Sequence, residues 1–329
     1  MDISFFTVLV AVFSLVLLAV PGFVAVKTKL LSSSAQSVLS NIVLYICSPA
    51  LVFMGFQKEN FSTTIAWNML IVAGVTFAMH FIMAGIMYLV IRGKADEKKL
   101  RVARFAGVFG NMGFMGFPFL QILFGNGSAY GEILVYGAVM LSVFNILYWT
   151  LGVCMITGNA KQLSVKKVLL NPVIIGVALG FLVFVIFKKP LADLCVEGSN
   201  GDLFLTNLMK SVDMLGNTVT PLAMFVIGMR LAGVRLKQLF LDKWSYIVVF
   251  LKLVITALIT ILIVWLLPVA DTVKYTLFFL LSMPTATGTA LLSVLFDGDT
   301  DFASVCVLLC TLLSILTIPL TYLLFSAVA

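Results

Sequence analysis

The chain is an all-α membrane protein by its sequence, and three observations predict that class. Of its 329 residues, 62% are hydrophobic and only 11% charged, with a mean hydropathy of +1.16. No soluble core-and-surface domain has that balance. Apolar runs of roughly 20 residues recur along almost the whole length, each enough to cross about 30 Å of hydrocarbon. Two of these runs, one in each half, are broken by glycine, proline and small polar residues where a spanning helix is ordinarily continuous.

A hydropathy reading places about ten spans at approximately 3–26, 36–56, 64–91, 102–125, 130–157, 170–187, 204–229, 244–268, 273–296 and 302–327. The first run, Ile3 to Val26, is too long for a signal-peptide core and follows Asp2 rather than basic residues, so it reads as a retained helix. Placing alternate loops on one side gathers most of the 21 basic residues there: Lys27 and Lys29; Arg92, Lys94, Lys98, Lys99, Arg101 and Arg104; Lys161, Lys166 and Lys167; Arg230, Arg235, Lys237 and Lys243. The positive-inside rule makes that side cytoplasmic and puts both termini outside. The net charge of +7 is therefore a topology signal and not a nucleic-acid patch. Cys47, Cys154, Cys195, Cys306 and Cys310 contain no Cys-x-x-Cys pair, and the four within apolar runs read as small hydrophobes.

Ten spans divide five and five about a linker at 158–168. The expected domains are a first repeat over 1–157 and a second over 169–329. An odd number per half inverts the second repeat. Ser48-Pro49 with Phe53 in span two is echoed by Thr220-Pro221 with Phe225 in span seven. The broken runs are spans four and nine: Gly110-Asn111-Met112-Gly113-Phe114-Met115-Gly116-Phe117-Pro118, and Ser282-Met283-Pro284-Thr285-Ala286-Thr287-Gly288. Non-helical backbone survives at membrane depth only where protein buries it or it lines a cavity. Paired breaks in two halves point to a carrier's binding site.

Each restarting half-helix presents unpaired N–H groups and a partial positive charge that favours an anion. Proline suits the first turn of such a helix, so the restarts are expected at Pro118 and Pro284. The candidate substrate-binding residues are Asn111, Gly113, Phe117, Pro118, Asn145, Pro284, Thr285, Thr287, Ser48 and Pro49. Such a site holds a carboxylate without a permanently buried cation. Two alternatives stand beside it. Glycines 107, 110, 113 and 116 also make a small-residue packing stripe, and Asn145 also serves an interhelical hydrogen bond. His80, the only histidine, is read as a neutral, hydrogen-bonded residue, with proton coupling as the alternative. Asn217 is expected to satisfy a carbonyl freed by Pro221, and Lys210 with Asp213 to form a local ion pair. No nucleophile–base set, phosphate loop or pair of intramembrane carboxylates is present, so no enzyme is expected, and no cofactor or metal.

On the Gly110–Pro118 run, with Asn171-Pro172 and Thr220-Pro221-Leu222-Ala223 through Gly228, the chain resembles the auxin efflux carrier family over essentially all its length. The resemblance implies ten helices in two inverted repeats, with spans four and nine crossing at their prolines. It implies a scaffold of spans one, two, six and seven, and a transport domain of spans three to five and eight to ten working as an elevator. Asn111, Pro118 and Pro284 map onto the crossover and Asn145 onto the polar fifth-helix position. Substrates of such proteins are organic anions: auxin in plants, and malonate or malate for carriers proposed in bacteria. A homodimer in the cell membrane is implied. The long cytoplasmic loop of many plant members is lacking here, and the coupling ion, H+ or Na+, is open. The rivals are an ion-coupled carrier for a larger amphipathic acid, bile-acid-like or auxin-like, and a non-transporting membrane sensor.

Overall fold

A computed structural model of the protein describes residues 3–32, 34–162, 165–233 and 242–328. Arg235 and Lys237 of the basic-loop count, Asp2, and residues 163–164 of the linker lie outside the described residues. Among the described residues, eight helices are long and apolar enough to cross a membrane. They are α1 (Phe5–Lys27), α2 (Ala35–Phe56), α3 (Thr63–Val90), α6 (Tyr130–Thr157), α7 (Pro172–Phe187, running on to Leu194 as a short turn), α8 (Asn200–Gly233), α9 (Lys243–Leu266) and α12 (Thr300–Ser326). The two broken runs supply the remainder. The first consists of α4 (Glu97–Val108) and α5 (Met112–Phe124); the second of α10 (Asp271–Leu281) and α11 (Gly288–Leu295). Among the described residues there is no β-strand, only one isolated antiparallel bridge between Gly110 and Thr285.

Helix starts follow the chain's local chemistry. Ser4, Ser62, Asp96, Asn171, Ser199, Asp242 and Asp299 each accept a backbone N–H from the first turn of the helix they precede. Gly158 ends α6 in the left-handed region at φ 65°.

Glycines set the closest helix contacts. A Cβ on Gly22 would stand 1.9 Å from the Phe225 carbonyl oxygen, and one on Gly228 would stand 1.8 Å from that of Ala19, so α1 and α8 touch backbone to backbone. Gly176 and Gly180 of α7 meet Pro49, Phe53 and Phe56 of α2, and Gly216 of α8 meets Leu51. These contacts tie α1, α2, α7 and α8 to one another. Tyr322 of α12 donates to the Ile3 carbonyl at 2.6 Å and fastens the last helix to the first.

Among the described residues, four helices contain a single wide π turn: Val43–Cys47 in α2, Met112–Gly116 opening α5, Tyr148–Gly152 in α6 and Leu251–Ile255 in α9. The first two have a visible cause. Each ends one residue before an X-Pro pair, and Ser48 and Phe117 bond five residues back, to Val43 and Met112. Widening the turn accommodates a proline that donates no N–H and crowds the carbonyl four residues behind it.

Candidate functional site

The two broken runs cross each other. Phe109–Asn111 and Ser282–Thr287 lie side by side, antiparallel: the Asn111 N–H donates to the Pro284 carbonyl at 2.7 Å, and the Ala286 N–H to the Phe109 carbonyl at 2.9 Å. Each break thus supplies the hydrogen-bond partners that the other lacks, which hydrocarbon cannot do. The Thr285 hydroxyl, fully buried, donates to the Ala106 carbonyl at 2.9 Å and lies 3.1 Å from Cys310 Sγ.

The prolines do not open the restarting helices. In the first run the break is at residues 109–111 and coiling resumes at Met112, six residues before Pro118. In the second, Pro284 lies in the extended stretch and the helix resumes at Gly288. The expectation failed because the π turn at Met112–Gly116 absorbs Pro118 inside a helix, while Pro284 contributes its carbonyl to the crossing. The N–H groups of Asn111 and Ala286 are also consumed there, Met112 donates to the Gly110 carbonyl, and Thr289, in the first turn of α11, donates to that of Ala286. Thr287 precedes that turn and makes no side-chain cap.

Two adjoining cavities flank the crossing. The smaller, about 140 Å3, is lined by Asn111, Gly113, Ser48, Asn145, Thr287 and Gly288, with aromatic walls from Phe114, Phe144, Tyr148 and Trp149. The larger, about 470 Å3, is lined by Arg230, Asp301 and a row of serines and threonines. Leu44, Phe114, Thr287, Gly288 and Leu291 border both. The π turns at 43–47, 112–116 and 148–152 all contribute lining residues, a clustering typical of functional sites.

Of the candidate residues, five therefore lie on the smaller cavity: Asn111, Gly113, Asn145, Thr287 and Ser48. Asn111 is 3% exposed, and its side-chain nitrogen has no partner. Asn145 donates to the Leu141 carbonyl at 2.7 Å and accepts from Asn171, the cap of α7, at 3.1 Å, so it joins α6 to α7 as well as facing the cavity. Pro49, Phe117, Pro118, Pro284 and Thr285 are not in the lining: Pro49 packs against Gly176, Phe117 lies under Gly137, and Pro118 is buried within α5. His80 is buried outside both cavities. Its Nδ1 lies 2.7 Å from the Thr76 carbonyl, and its ring sits between Phe109 and Phe144.

Asn217 does not serve the carbonyl freed by Pro221. It donates to Asp213 and accepts from Gln121, while Asp213 pairs with Lys58 at 2.9 Å rather than with Lys210. Outside the spans, Glu59 is held above the usual carboxylate range, by burial first and by the nearby Glu132 charge second.

Two cations at the crossing escaped the sequence reading, which expected none. Lys252, in the π turn of α9, is 1% exposed; its Nζ donates to the Leu281 carbonyl at 3.3 Å, at the C-terminal end of α10. It lies behind Gly110, 3.0 Å from where a Cβ would stand. Arg230 donates to the Thr287 carbonyl, and its Nε is buried with no partner. No carboxylate pairs with either among the described residues. In the sequence Arg230 looks like a basic residue at the edge of a span. For Lys252 the available signal was its place as the ninth residue of the 244–268 run.

A helical bundle with a backbone crossing beside cavities that a few polar side chains line defines a multi-pass membrane transporter. The chain belongs to the membrane transport protein family, that of the auxin efflux carriers, whose sequence pattern it matches over residues 7–322. It is 24% identical over 307 residues to an uncharacterized transporter of Methanocaldococcus jannaschii, covering 92% of this chain and 94% of that one. It is 28% identical over 309 residues to a Rhizobium meliloti protein named "Putative malonate transporter", covering 89% and 88%. A further uncharacterized transporter, of Methanothermobacter thermautotrophicus, is 23% identical over 312 residues, covering 94% and 95%.

Proposed function

We propose that this transporter is a secondary carrier for a small organic anion, a carboxylate of the malonate or malate kind, moved by alternating access at the crossing. The observation that carries the reading is the smaller cavity. There the unpartnered Asn111 amide and the uncapped first turn of α11 border one space, with the Lys252 ammonium behind Gly110. Donors and positive charge converge with no acid to oppose them, an arrangement that attracts a carboxylate. The name of the Rhizobium relative points the same way.

In this reading the ten expected spans form two inverted five-helix repeats with both termini outside the cell membrane. Spans one, two, six and seven (α1, α2, α7, α8) act as scaffold; the contacts among them support that division. The remaining helices move, and a homodimer is the working assembly. A second reading, an ion-coupled carrier for a larger aromatic or bile-acid-like anion, draws support from the ring-lined wall of Phe114, Phe144, Tyr148 and Trp149.

The test is thermal stabilisation of the purified protein by a panel of organic acids, with and without sodium, at acid and neutral pH. A ligand at a hundred times its dissociation constant adds about 2.7 kcal/mol. Short carboxylates are expected to stabilise the wild type and not Asn111→Ala. Selective shifts with aromatic acids favour the second reading. Shifts only with cations or neutral solutes end the anion proposal. Sodium or pH dependence of the shift names the coupling ion.

A further inference from the structure

The larger cavity holds a feature that a monocarboxylate does not use. Arg230 reaches it from α8, near the end of a span, and its Nη1 donates to the Thr287 carbonyl. Nε is buried and unpartnered, and no acid pairs with the guanidinium among the described residues. Asp301, the one acidic residue in the same lining, is not bonded to it. A guanidinium has five donors in a planar fork suited to a carboxylate, so most of its capacity is idle here. A half-buried cation without a counter-ion carries a desolvation cost, and an arriving anion offsets it.

The idle donor is next to the first site. Asn111 lines only the smaller cavity and Arg230 only the larger, yet Thr287 and Gly288 belong to both walls. Arg230 is bonded to that shared boundary through the Thr287 carbonyl. The unpartnered amide and the unpaired guanidinium therefore border neighbouring spaces whose shared wall is Thr287–Gly288, at the start of α11. We infer that the two cavities form one bipartite dicarboxylate site: Asn111 and the first turn of α11 take one carboxylate, and Arg230 takes the second and selects diacids over monoacids. The inference rests on the carboxylate reading above and adds the residue that sets substrate class.

The experiment compares binding of malonate and of its monomethyl ester, which differ by one charge on the same skeleton, to the full-length protein in detergent. Wild type is expected to bind malonate at least about tenfold more tightly, the scale of one charge-assisted hydrogen-bond pair. Arg230→Gln should weaken malonate to the level of the ester and leave the ester unchanged; Asn111→Ala should weaken both. Arg230→Lys keeps the charge but not the fork. It should retain part of the preference, and it serves as the readout if the glutamine variant does not fold. A wild type that binds both ligands equally overturns this inference and leaves the carboxylate reading standing. Equal weakening of both ligands by either arginine variant makes Arg230 a structural tie to Thr287 and also overturns it. Binding of neither ligand refutes the carboxylate reading, and this inference with it.

Discussion

Replacing Lys252 with methionine separates what the crossing needs for stability from what it needs for function. Methionine is close to the lysine stem in length and volume, so the core around α9 is not emptied. The variant loses one hydrogen bond from a charged donor, Nζ to the Leu281 carbonyl at 3.3 Å, a contact of about 1.5–3 kcal/mol at better geometry. It also loses a cation at the C-terminal end of α10, a further contribution of about 0.3–1 kcal/mol. Against these stands the cost of burying an ammonium that is 1% exposed and has no carboxylate partner, on the order of several kcal/mol. The terms cancel or favour methionine. Lys252→Met is therefore expected to unfold at or above the wild-type temperature when the two are melted side by side without ligand. It should nonetheless bind a carboxylate severalfold more weakly, because the wall behind Gly110 has lost its positive charge. A loss of more than about 2 kcal/mol in the ligand-free variant would refute the reasoning. The ammonium would then be a strut that holds the two broken runs together.

Two further predictions concern backbone approach and surface charge. Alanine at Gly228 places a Cβ 1.8 Å from the Ala19 carbonyl, where neither helix can yield, so its melting loss should reach or exceed the about 1–3 kcal/mol usual for overpacking. Alanine at Gly74 meets nothing within 4 Å and should be neutral or stabilising by about 0.5–1 kcal/mol. If the two variants melt alike, close α1–α8 contact is not what holds that face. The Glu59 carboxyl titrates above its ordinary range, so the folded protein retains a proton there that the unfolded chain has released. Stability should accordingly fall as pH rises from the ordinary carboxylate value through the raised one, and be flat above it. Glu59→Gln should flatten that segment of the melting-versus-pH curve, and an unchanged curve removes Glu59 as its source.

Much of the crossing was legible because its cause is local. Gly110-Asn111 and Ser282-Met283-Pro284 cannot continue a helix comfortably, and a break in an apolar run is visible without knowing its partner. What the prolines do was not legible. Pro118 looks like a helix start, but whether a proline opens a helix or is absorbed by a wide turn depends on hydrogen bonds five residues back. In the same way Asn217 looks like a local patch for Pro221, yet it bonds to Gln121 on another helix.

By itself the sequence determined that the chain lies in a membrane, where its helices run, and which two of them are interrupted. Those properties are sums of residue transfer energies and backbone preferences over a short window, so they survive without neighbours. Tertiary structure alone decided that the two breaks pair as an antiparallel bridge, that their N–H groups are spent on each other, and that Lys252 and Arg230 converge there. Each depends on contacts between residues far apart in the chain, such as the bonds of Asn111 to Pro284 and of Arg230 to Thr287. A buried cation and one at the edge of the bilayer look alike in sequence. The difference lies in the helices that surround them.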